Sequence, residues 1–291
     1  MIEQLHGWKY FSQTGIPLSV FRTQVGSRIA MHTHDFSELA VVLDGHGWHV
    51  TTDSKYRIAA GDVFVVQNNA AHAYEGCERI DLYNVLFDTS KLNLPASDLY
   101  QLPAYHALFS LEPGIRNTAR SSHHFLTLSR HDLAEISSIL GRAADELLRR
   151  QPGYQGMAVS LFVQAAVSLS RCYACMEGRE SGRLIRLGRV ISYIEQNILD
   201  DLTLGQMAGV AGVSASTLNR SFNDALGMPP MEYVIEQRFK RAIVLLKDTD
   251  ATITQVACRS GFADSNFFAR QFRRRFGCSP REFRAGRYPL R

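Results

Sequence analysis

Long apolar runs are missing from this sequence. No stretch approaches the roughly 18 consecutive apolar residues of a membrane-spanning helix, so no membrane span is expected. The first residues, Met1 to Gln13, also lack the apolar core of a secretory signal peptide. We therefore expect a soluble, cytoplasmic protein with no membrane partner.

Cysteine is scarce, and enzyme signatures are missing. The five cysteines are scattered, and Cys172 and Cys175 form a single C-x-x-C pair, which indicates small apolar fillers rather than a zinc or redox site. The sequence has no Ser-His-Asp set, no phosphate-binding loop and no dinucleotide fingerprint. We therefore expect no catalytic residue and no cofactor.

Positive charge is missing from the first part of the chain and concentrated in the last part. Residues 1–182 carry 15 Lys and Arg against 18 Asp and Glu, a net charge of −3. Residues 183–291 carry 17 against 10, a net charge of +7. The total of 291 residues suggests two domains, and the basic one is suited to attract nucleic acid.

The segment from Ile253 to Gly277 predicts a short helix, a turn and a second helix. Gly261 suits the turn, because glycine adopts a left-handed backbone at little cost, and Asp264 can cap the second helix. Three phenylalanines spaced four residues apart would form its buried stripe: Phe268, Phe272 and Phe276. The opposite face carries short polar groups and arginines, namely Ser265, Asn266, Ala269, Arg270, Arg273 and Arg274. Such a face suits a DNA major groove; the alternative is an ordinary amphipathic helix with a solvated basic face.

The same pattern occurs a second time upstream. Matching residues lie 49 positions earlier at Leu204, Met207, Ala208, Gly212 and Val213, and 50 positions earlier at Leu218, Arg220, Phe222, Gly227, Pro230 and Tyr233. Such regular spacing indicates two copies of one supersecondary unit and disfavours the solvated-face alternative. The first copy would hold a helix from Ser214, its N-cap, to about Leu226. A further helix, Met231 to about Lys247, would join the two copies.

One block resembles the signature of the AraC/XylS-type transcription regulators: Gly261-Phe262, Ser265-Asn266-Phe267-Phe268, Arg270-Gln271-Phe272, Gly277-Cys278-Ser279-Pro280 and Phe283-Arg284. The resemblance covers about Arg183 to Arg287. In that family two helix-turn-helix units enter successive major grooves on one face of the DNA. It implies base-reading residues Ser216, Asn219 and Arg220 in the first recognition helix and Ser265, Asn266, Ala269 and Arg270 in the second. It also implies operator DNA and RNA polymerase as partners.

The region from about Gln4 to Glu112 reads as short strands separated by turns. The clearest strands are Leu39 to Leu43, Trp48 to Thr52, Tyr56 to Ile58, Val63 to Val66 and Ile80 to Phe87, with one turn expected at Gly45-His46-Gly47. Many short strands at this spacing predict an antiparallel sandwich or barrel.

Four polar residues in this region share the spacing of the metal-binding motifs of cupin β-barrels. They are His32-x-His34-x3-Glu38 and His72, although the second motif departs from the usual pattern at Gln67, Asn69 and Gly76. In metal-binding cupins the corresponding residues hold one divalent transition metal, for which imidazole and carboxylate are suitable ligands. Two interpretations stay open: a metal site, or polar groups that line a ligand pocket without metal. The attached DNA-binding repeat favours the second.

The same region resembles the sensor barrel of the L-rhamnose operon activators. The resemblance rests on His32-Thr-His34-Asp35-Phe36-Ser-Glu38-Leu39, Gly45-x-Gly47-x-His49-Val50 and Tyr56-Arg57-Ile58-x-x-Gly61-Asp62. It implies a small sugar effector, with L-rhamnose the first candidate. His32, His34, Glu38 and His72 would hydrogen-bond the hydroxyl groups, and Trp48 or Tyr74 would stack on the sugar ring.

The middle of the chain predicts two helices, Asp132 to about Arg150 and Met157 to about Cys175. The apolar stripe of the first helix includes Leu133, Ile136, Leu140 and Leu147. The helical pair either forms a dimer contact, as is common in this family, or covers its own barrel. The predicted organisation is a two-domain α+β chain. A cupin-like sensor barrel at 1–128 is followed by the helical pair at 129–176, a linker at 177–182 and an all-α DNA-binding domain with two helix-turn-helix units at 183–291.

The leading functional hypothesis is a sugar-responsive transcription activator that acts as a homodimer and is not an enzyme. One alternative is a metal-dependent cupin enzyme with an appended DNA-binding module. Another is a DNA-binding protein whose barrel is only a dimerisation scaffold.

Overall fold

The computed structural model describes residues 2–92, 98–116 and 126–286, and the chain divides into two compact units, Met1–Gly188 and Arg189–Arg291. The first unit is built on an eight-stranded sheet, and the described part of the second is helical. The predicted fold class, a β-rich unit followed by an all-α unit, is confirmed.

The sheet of the first unit is organised by its two longest strands. Its strands are β1 (Glu3–Leu5), β2 (Leu18–Val25), β3 (Arg28–His34), β4 (Ser37–Thr51), β5 (Lys55–Ala59), β6 (Asp62–Val66), β7 (His72–Phe87) and β8 (Leu126–Thr127). β4 and β7 pair antiparallel over most of their length. β7 also pairs with β2 and β3, and β4 with β5 and β6.

Strand β4 corrects one prediction. The expected turn at Gly45-His46-Gly47 is wrong, because the strand continues through these residues to Thr51. The pairing register with β7 shifts there instead: Val42 pairs with Leu82, but Asp44 pairs with Asp81. One extra residue on β4 therefore forms a β-bulge. Gly45 lies at this bulge with φ of 81°. This glycine therefore marks an irregularity within the strand and not its end.

Among the described residues, five α-helices belong to the same unit as the sheet, and a sixth begins there and continues past its last residue, Gly188. They are α1 (Trp8–Thr14), α2 (Pro103–His106), α3 (Glu112–Arg116), α4 (Arg130–Arg149), α5 (Tyr154–Ala174) and α6 (Arg179–Gln196). α4 begins before the predicted Asp132, because the Ser129 hydroxyl accepts a hydrogen bond from the Asp132 N–H and acts as its N-cap. α6 includes the last four residues of the segment 177–182 that was expected to be a linker.

The apolar stripe of α4 packs inside its own unit. Ile136, Leu140 and Leu147 are buried, and α4 contacts both α5 and β2. Of the two alternatives, these residues therefore cover their own barrel. Among the described helices, α5 is long and apolar enough to cross a membrane, and 44% of its apolar window is buried inside the protein. Core helices of water-soluble proteins meet the same criteria.

The second unit contains the two predicted helical pairs. α7 (Leu204–Ala211) precedes α8 (Ala215–Leu226), and α10 (Ile253–Arg259) precedes α11 (Ser265–Phe276); α9 (Pro230–Asp248) connects the pairs, and α12 (Pro280–Arg284) follows. Ser214 and Asp264 cap α8 and α11 as predicted. Thr203 and Thr252, 49 residues apart, each begin the first helix of a pair with a capping box. The repeat in sequence is thus also a repeat in local structure.

The connecting helix α9 holds the second unit together from within. Its Phe239 lies among the rings of Phe262, Phe268, Phe272 and Phe276, at centroid distances of 5.2 to 6.2 Å. Two of its arginines donate to main-chain carbonyls on either side. Arg238 Nε lies 3.0 Å from the Ile198 oxygen, before α7, and Arg241 Nε lies 2.9 Å from the Arg259 oxygen, at the end of α10.

Gly261 in the turn before α11 provides a stability test. Its φ is 89°, and an added Cβ would meet the Ile198 carbonyl oxygen and Arg238 Nε. Gly261→Ala should therefore destabilise the second unit by about 1–3 kcal/mol. Gly209, in α7, has open space at the same position, so Gly209→Ala should stabilise that unit by about 0.5–1 kcal/mol.

Two probes separate the units in this measurement. Both tryptophans, Trp8 and Trp48, belong to the first unit, so denaturant curves followed by tryptophan fluorescence report the barrel. Far-UV circular dichroism includes the helical second unit. Gly261→Ala should shift the second signal and not the first; equal stability of Gly261→Ala and the unchanged protein would contradict this account of the turn.

Candidate functional site

The second helix of each pair presents a polar face to solvent. On α11, Asn266, Arg270, Arg273 and Arg274 are exposed, and Ser265 and Ala269 are partly buried. On α8, Ser216 and Arg220 are exposed and Asn219 is partly buried. The structure thus brings the predicted DNA-contacting residues onto the outer face of each recognition helix.

Packing and capping fix the orientation of α11. Phe268 and Phe272 are fully buried on its inner face. The Asp264 carboxylate accepts hydrogen bonds from the Asn266 and Phe267 N–H groups. A salt bridge from Arg275 Nε to Glu236 Oε1, 2.6 Å long, connects the last turn of α11 to α9. These contacts prevent the helix from rotating about its axis, so they determine which of its faces is exposed.

The arginines on that face keep their charge available. Within residues 2–92, 98–116 and 126–286, Arg270, Arg273 and Arg274 take part in no salt bridge or side-chain hydrogen bond. Arg275 beside them is neutralised by Glu236. Unpaired arginine forks can bind phosphate or the O6 and N7 atoms of guanine.

A second cluster of polar groups lies inside the barrel. His34 is the last residue of β3 and His32 lies two residues before it; Glu38 is the second residue of β4. β7 begins with His72 and carries Tyr74 two residues later. All five side chains are buried. The structure therefore brings together the four predicted motif residues and Tyr74, which come from three strands.

The geometry of this cluster centres on three of its members. One ligand atom each of His34, Glu38 and His72 lies within 4.8 Å of the other two, and His34 Nε2 is 3.8 Å from Glu38 Oε2. The Tyr74 hydroxyl donates to Glu38 Oε1 at 3.3 Å. His32 lies at the side, with its Nδ1 2.9 Å from the Ala30 carbonyl oxygen and its ring centroid 4.3 Å from that of His72.

Burial controls the protonation of the cluster. It lowers the pKa of His34 to about 4, although the hydrogen bond to the Phe36 carbonyl opposes the shift. It also lowers the pKa of His72, and neighbouring histidines add to this effect. Burial raises the pKa of Glu38 to about 7, against the hydrogen bond from Tyr74. Near neutral pH the imidazoles of His34 and His72 are therefore uncharged, with one nitrogen lone pair each.

The structure does not place Trp48 in this cluster. Its side chain is 40% exposed, on the opposite face of β4 from the barrel interior, and Lys55 Nζ lies 5.3 Å from its ring. His49 takes the inward position instead, with its Nε2 3.2 Å from His72 Nδ1. Counting every second residue from Glu38 predicts that Trp48 faces inward, but the bulge after Val42 reverses this alternation. His49 was already part of the block Gly45-x-Gly47-x-His49-Val50 on which the sensor-barrel resemblance rests, but its inward direction depends on that bulge.

Family models match both parts of the chain. The AraC-like ligand binding domain family matches residues 20–150, and a helix-turn-helix domain family matches residues 207–286. The chain is 29% identical to the HTH-type transcriptional activator RhaS of Escherichia fergusonii, over 98% of each chain. It is 27% identical to the activator RhaR of an Enterobacter species, over 94% of each chain.

A solved structure matches part of the chain. It is a transcriptional regulator with an AraC-type DNA-binding domain from Chromobacterium violaceum, 36% identical, covering 37% of this chain and 96% of that chain with a TM-score of 0.34.

A ligand-binding barrel domain and a double helix-turn-helix domain in one chain define a DNA-binding transcription regulator. The protein belongs to the AraC family of transcription regulators and is related to the activators RhaS and RhaR.

The two kinds of arginine on α11 should be separable by mutation. Arg270→Ala should cost about 1–3 kcal/mol of specific binding and relax one operator position, as for a side chain that reads guanine. Arg273→Ala should weaken binding to all sequences and lower the salt slope by about one. Titrations of the full chain on DNA obtained by in vitro selection, at several salt concentrations, would measure both. Unchanged specific affinity in Arg270→Ala would show that another face of α11 meets the bases.

Proposed function

We propose that the protein is a cytoplasmic transcription activator that responds to a small sugar, with L-rhamnose the first candidate. The sugar binds in the barrel at the buried cluster of His32, His34, Glu38, His72 and Tyr74. His49 belongs to this set by its inward position, and Trp48 does not. The full-length relatives are named as activators, which favours this function over the metal-dependent cupin enzyme and over a barrel that serves only as a scaffold.

The observation that supports an effector site is the state of two imidazole nitrogens. His34 Nε2 and His72 Nε2 are buried, and within the described residues neither has a hydrogen-bond partner. A buried polar atom without a partner costs free energy, so a site of this kind favours a bound group that supplies one. Sugar hydroxyls both donate and accept hydrogen bonds and therefore suit the imidazoles and the carboxyl group.

On the DNA side, the proposed base contacts are Ser216, Asn219 and Arg220 on α8 and Ser265, Asn266, Ala269 and Arg270 on α11. Arg273 and Arg274 lie one turn further along α11 and would meet phosphates. As an activator, the protein would also contact RNA polymerase. The domain limits stay those proposed from the sequence, except that the linker is shorter than 177–182, because α6 begins at Arg179.

A melting screen tests the effector. A ligand that binds only the folded state raises the melting temperature, so one sugar in a panel of pentoses, hexoses and deoxyhexoses should do so at millimolar concentration. His34→Gln should abolish that shift, while His46→Gln, an exposed histidine on β4, should keep it. The sugar assignment fails if no member of the panel shifts the melting temperature, and DNA binding would be unaffected by that result.

We further propose that the protein is a homodimer on its operator. The buried stripe of α4 is used within the chain, so we place the contact surface elsewhere on the helical pair. Leu148 at the end of α4 is 79% exposed, beside a groove lined by Tyr10, Val20 and Phe21. Sedimentation of the full chain should show a dimer at operator-saturating concentration, and Leu148→Glu should lower its share. A monomer of the unchanged protein under these conditions would remove the claim.

A further inference from the structure

Three buried side chains in the barrel direct ligand atoms toward one another. His34 and His72 are 0% exposed and Glu38 is 5% exposed, and one ligand atom of each lies within 4.8 Å of the other two. Among the described residues, neither His34 Nε2 nor His72 Nε2 has a hydrogen-bond partner. Two neighbouring buried nitrogens without hydrogen-bond partners can both be satisfied by one group that accepts their lone pairs, such as a metal ion.

The other nitrogen of each imidazole is already engaged. His34 Nδ1 lies 2.6 Å from the Phe36 carbonyl oxygen, which can only accept, so the proton is on Nδ1 and the lone pair is on Nε2. His72 Nδ1 lies 3.2 Å from His49 Nε2. Metal-bound histidines commonly donate their second N–H to a neighbouring group in this way, which fixes the tautomer and the ring orientation.

We infer that His34 Nε2, His72 Nε2 and a Glu38 carboxylate oxygen hold one divalent first-row transition metal ion, with His49 as a positioning residue that orients His72. Two imidazoles and one carboxylate are suitable ligands for such an ion. Two atoms that each lie about 2.1 Å from one ion are at most about 4.2 Å apart. Any pair that is farther apart than this must therefore move closer on binding, by a small rotation of the side chains.

His32 is not part of this ligand set, although it belongs to the sequence motif. Its Nδ1 is directed at the Ala30 carbonyl on its own strand, and it is absent from the converging group. Three protein ligands leave at least one position of a four-coordinate ion open, where an oxygen of the effector would bind in place of direct hydrogen bonds to His34 Nε2 and His72 Nε2. Binding of the effector to the ion rests on the proposed function, whereas the metal site itself does not. No catalytic turnover is proposed.

Cobalt binding tests the site directly. The full chain is purified, stripped with a chelator, dialysed and titrated with Co²⁺ alone in the absence of sugar. We expect one Co²⁺ per chain by equilibrium dialysis, with visible absorption bands of a protein-bound ion that disappear when Zn²⁺ is added. The melting temperature should rise with Co²⁺ or Zn²⁺, because the ion binds the folded state.

Matched variants identify the ligands. His34→Gln, His72→Gln and Glu38→Gln should each abolish the stoichiometric Co²⁺ and its absorption bands. His49→Gln should lower the affinity by about 10–100-fold, as expected for a residue that acts through a ligand, and keep the stoichiometry. His32→Gln and the exposed His46→Gln should bind Co²⁺ as the unchanged protein does. Circular dichroism of each variant shows whether it is folded, and the stoichiometry and melting shift of the unchanged protein test the site without any variant.

Two results would overturn the inference. The first is the unchanged protein taking up less than one Co²⁺ per chain with no protein-specific absorption. The second is a loss of Co²⁺ in folded His32→Gln as large as in His34→Gln, because the ligand set would then include His32. If the unchanged protein binds no Co²⁺ but a sugar still raises its melting temperature, the proposed function stands and the metal site is refuted. Failure of the metal site is therefore distinguishable from failure of the proposed function.

Discussion

The antiparallel pairing of β4 with β7 is the contact on which the first unit depends. These two strands have 15 and 16 residues, and five of the other strands pair with one of them directly or through β3. The same pairing carries four of the six polar residues of the cluster: Glu38 and His49 on β4, His72 and Tyr74 on β7. Because the residues that face each other across the pair are fixed by its register, a slip of one residue would turn these side chains away from the interior.

The second unit is organised by a different kind of contact. Phe239 of α9 packs among aromatic rings from α11 and from the turn before it, and arginines of α9 bind main-chain carbonyls near both helical pairs. Apolar burial supplies most of the stability, and the arginine hydrogen bonds orient α9 relative to the two helical pairs. A helix held in this way presents one face to DNA with a constant orientation, which sequence-specific reading requires.

The two sites follow opposite electrostatic principles. On α11 the charged groups are exposed, and Arg270, Arg273 and Arg274 are available for phosphates and bases. In the barrel the ionisable groups are buried, which lowers the pKa of His34 and His72 and raises the pKa of Glu38 to about 7. Long-range attraction suits a large polyanion such as DNA. A small ligand is better selected by a few buried groups whose unsatisfied hydrogen-bonding capacity penalises a wrong occupant.

The sequence by itself determined the helical unit almost completely. Its signals are local: helix periodicity, the caps Ser214 and Asp264, and the repeat spacing. Such signals can be recognised in the sequence without knowing how the rest of the chain folds. The motif His32, His34, Glu38 and His72 was also visible, since its members share a spacing. Tertiary structure alone decided which face of β4 is inward after the bulge, and hence that His49 rather than Trp48 joins the cluster. It also decided that the stripe of α4 covers its own barrel. A bulge is created by how two strands distant in sequence pair, and the partner of an apolar helix face is set by the whole chain, so neither is specified within a local stretch of residues.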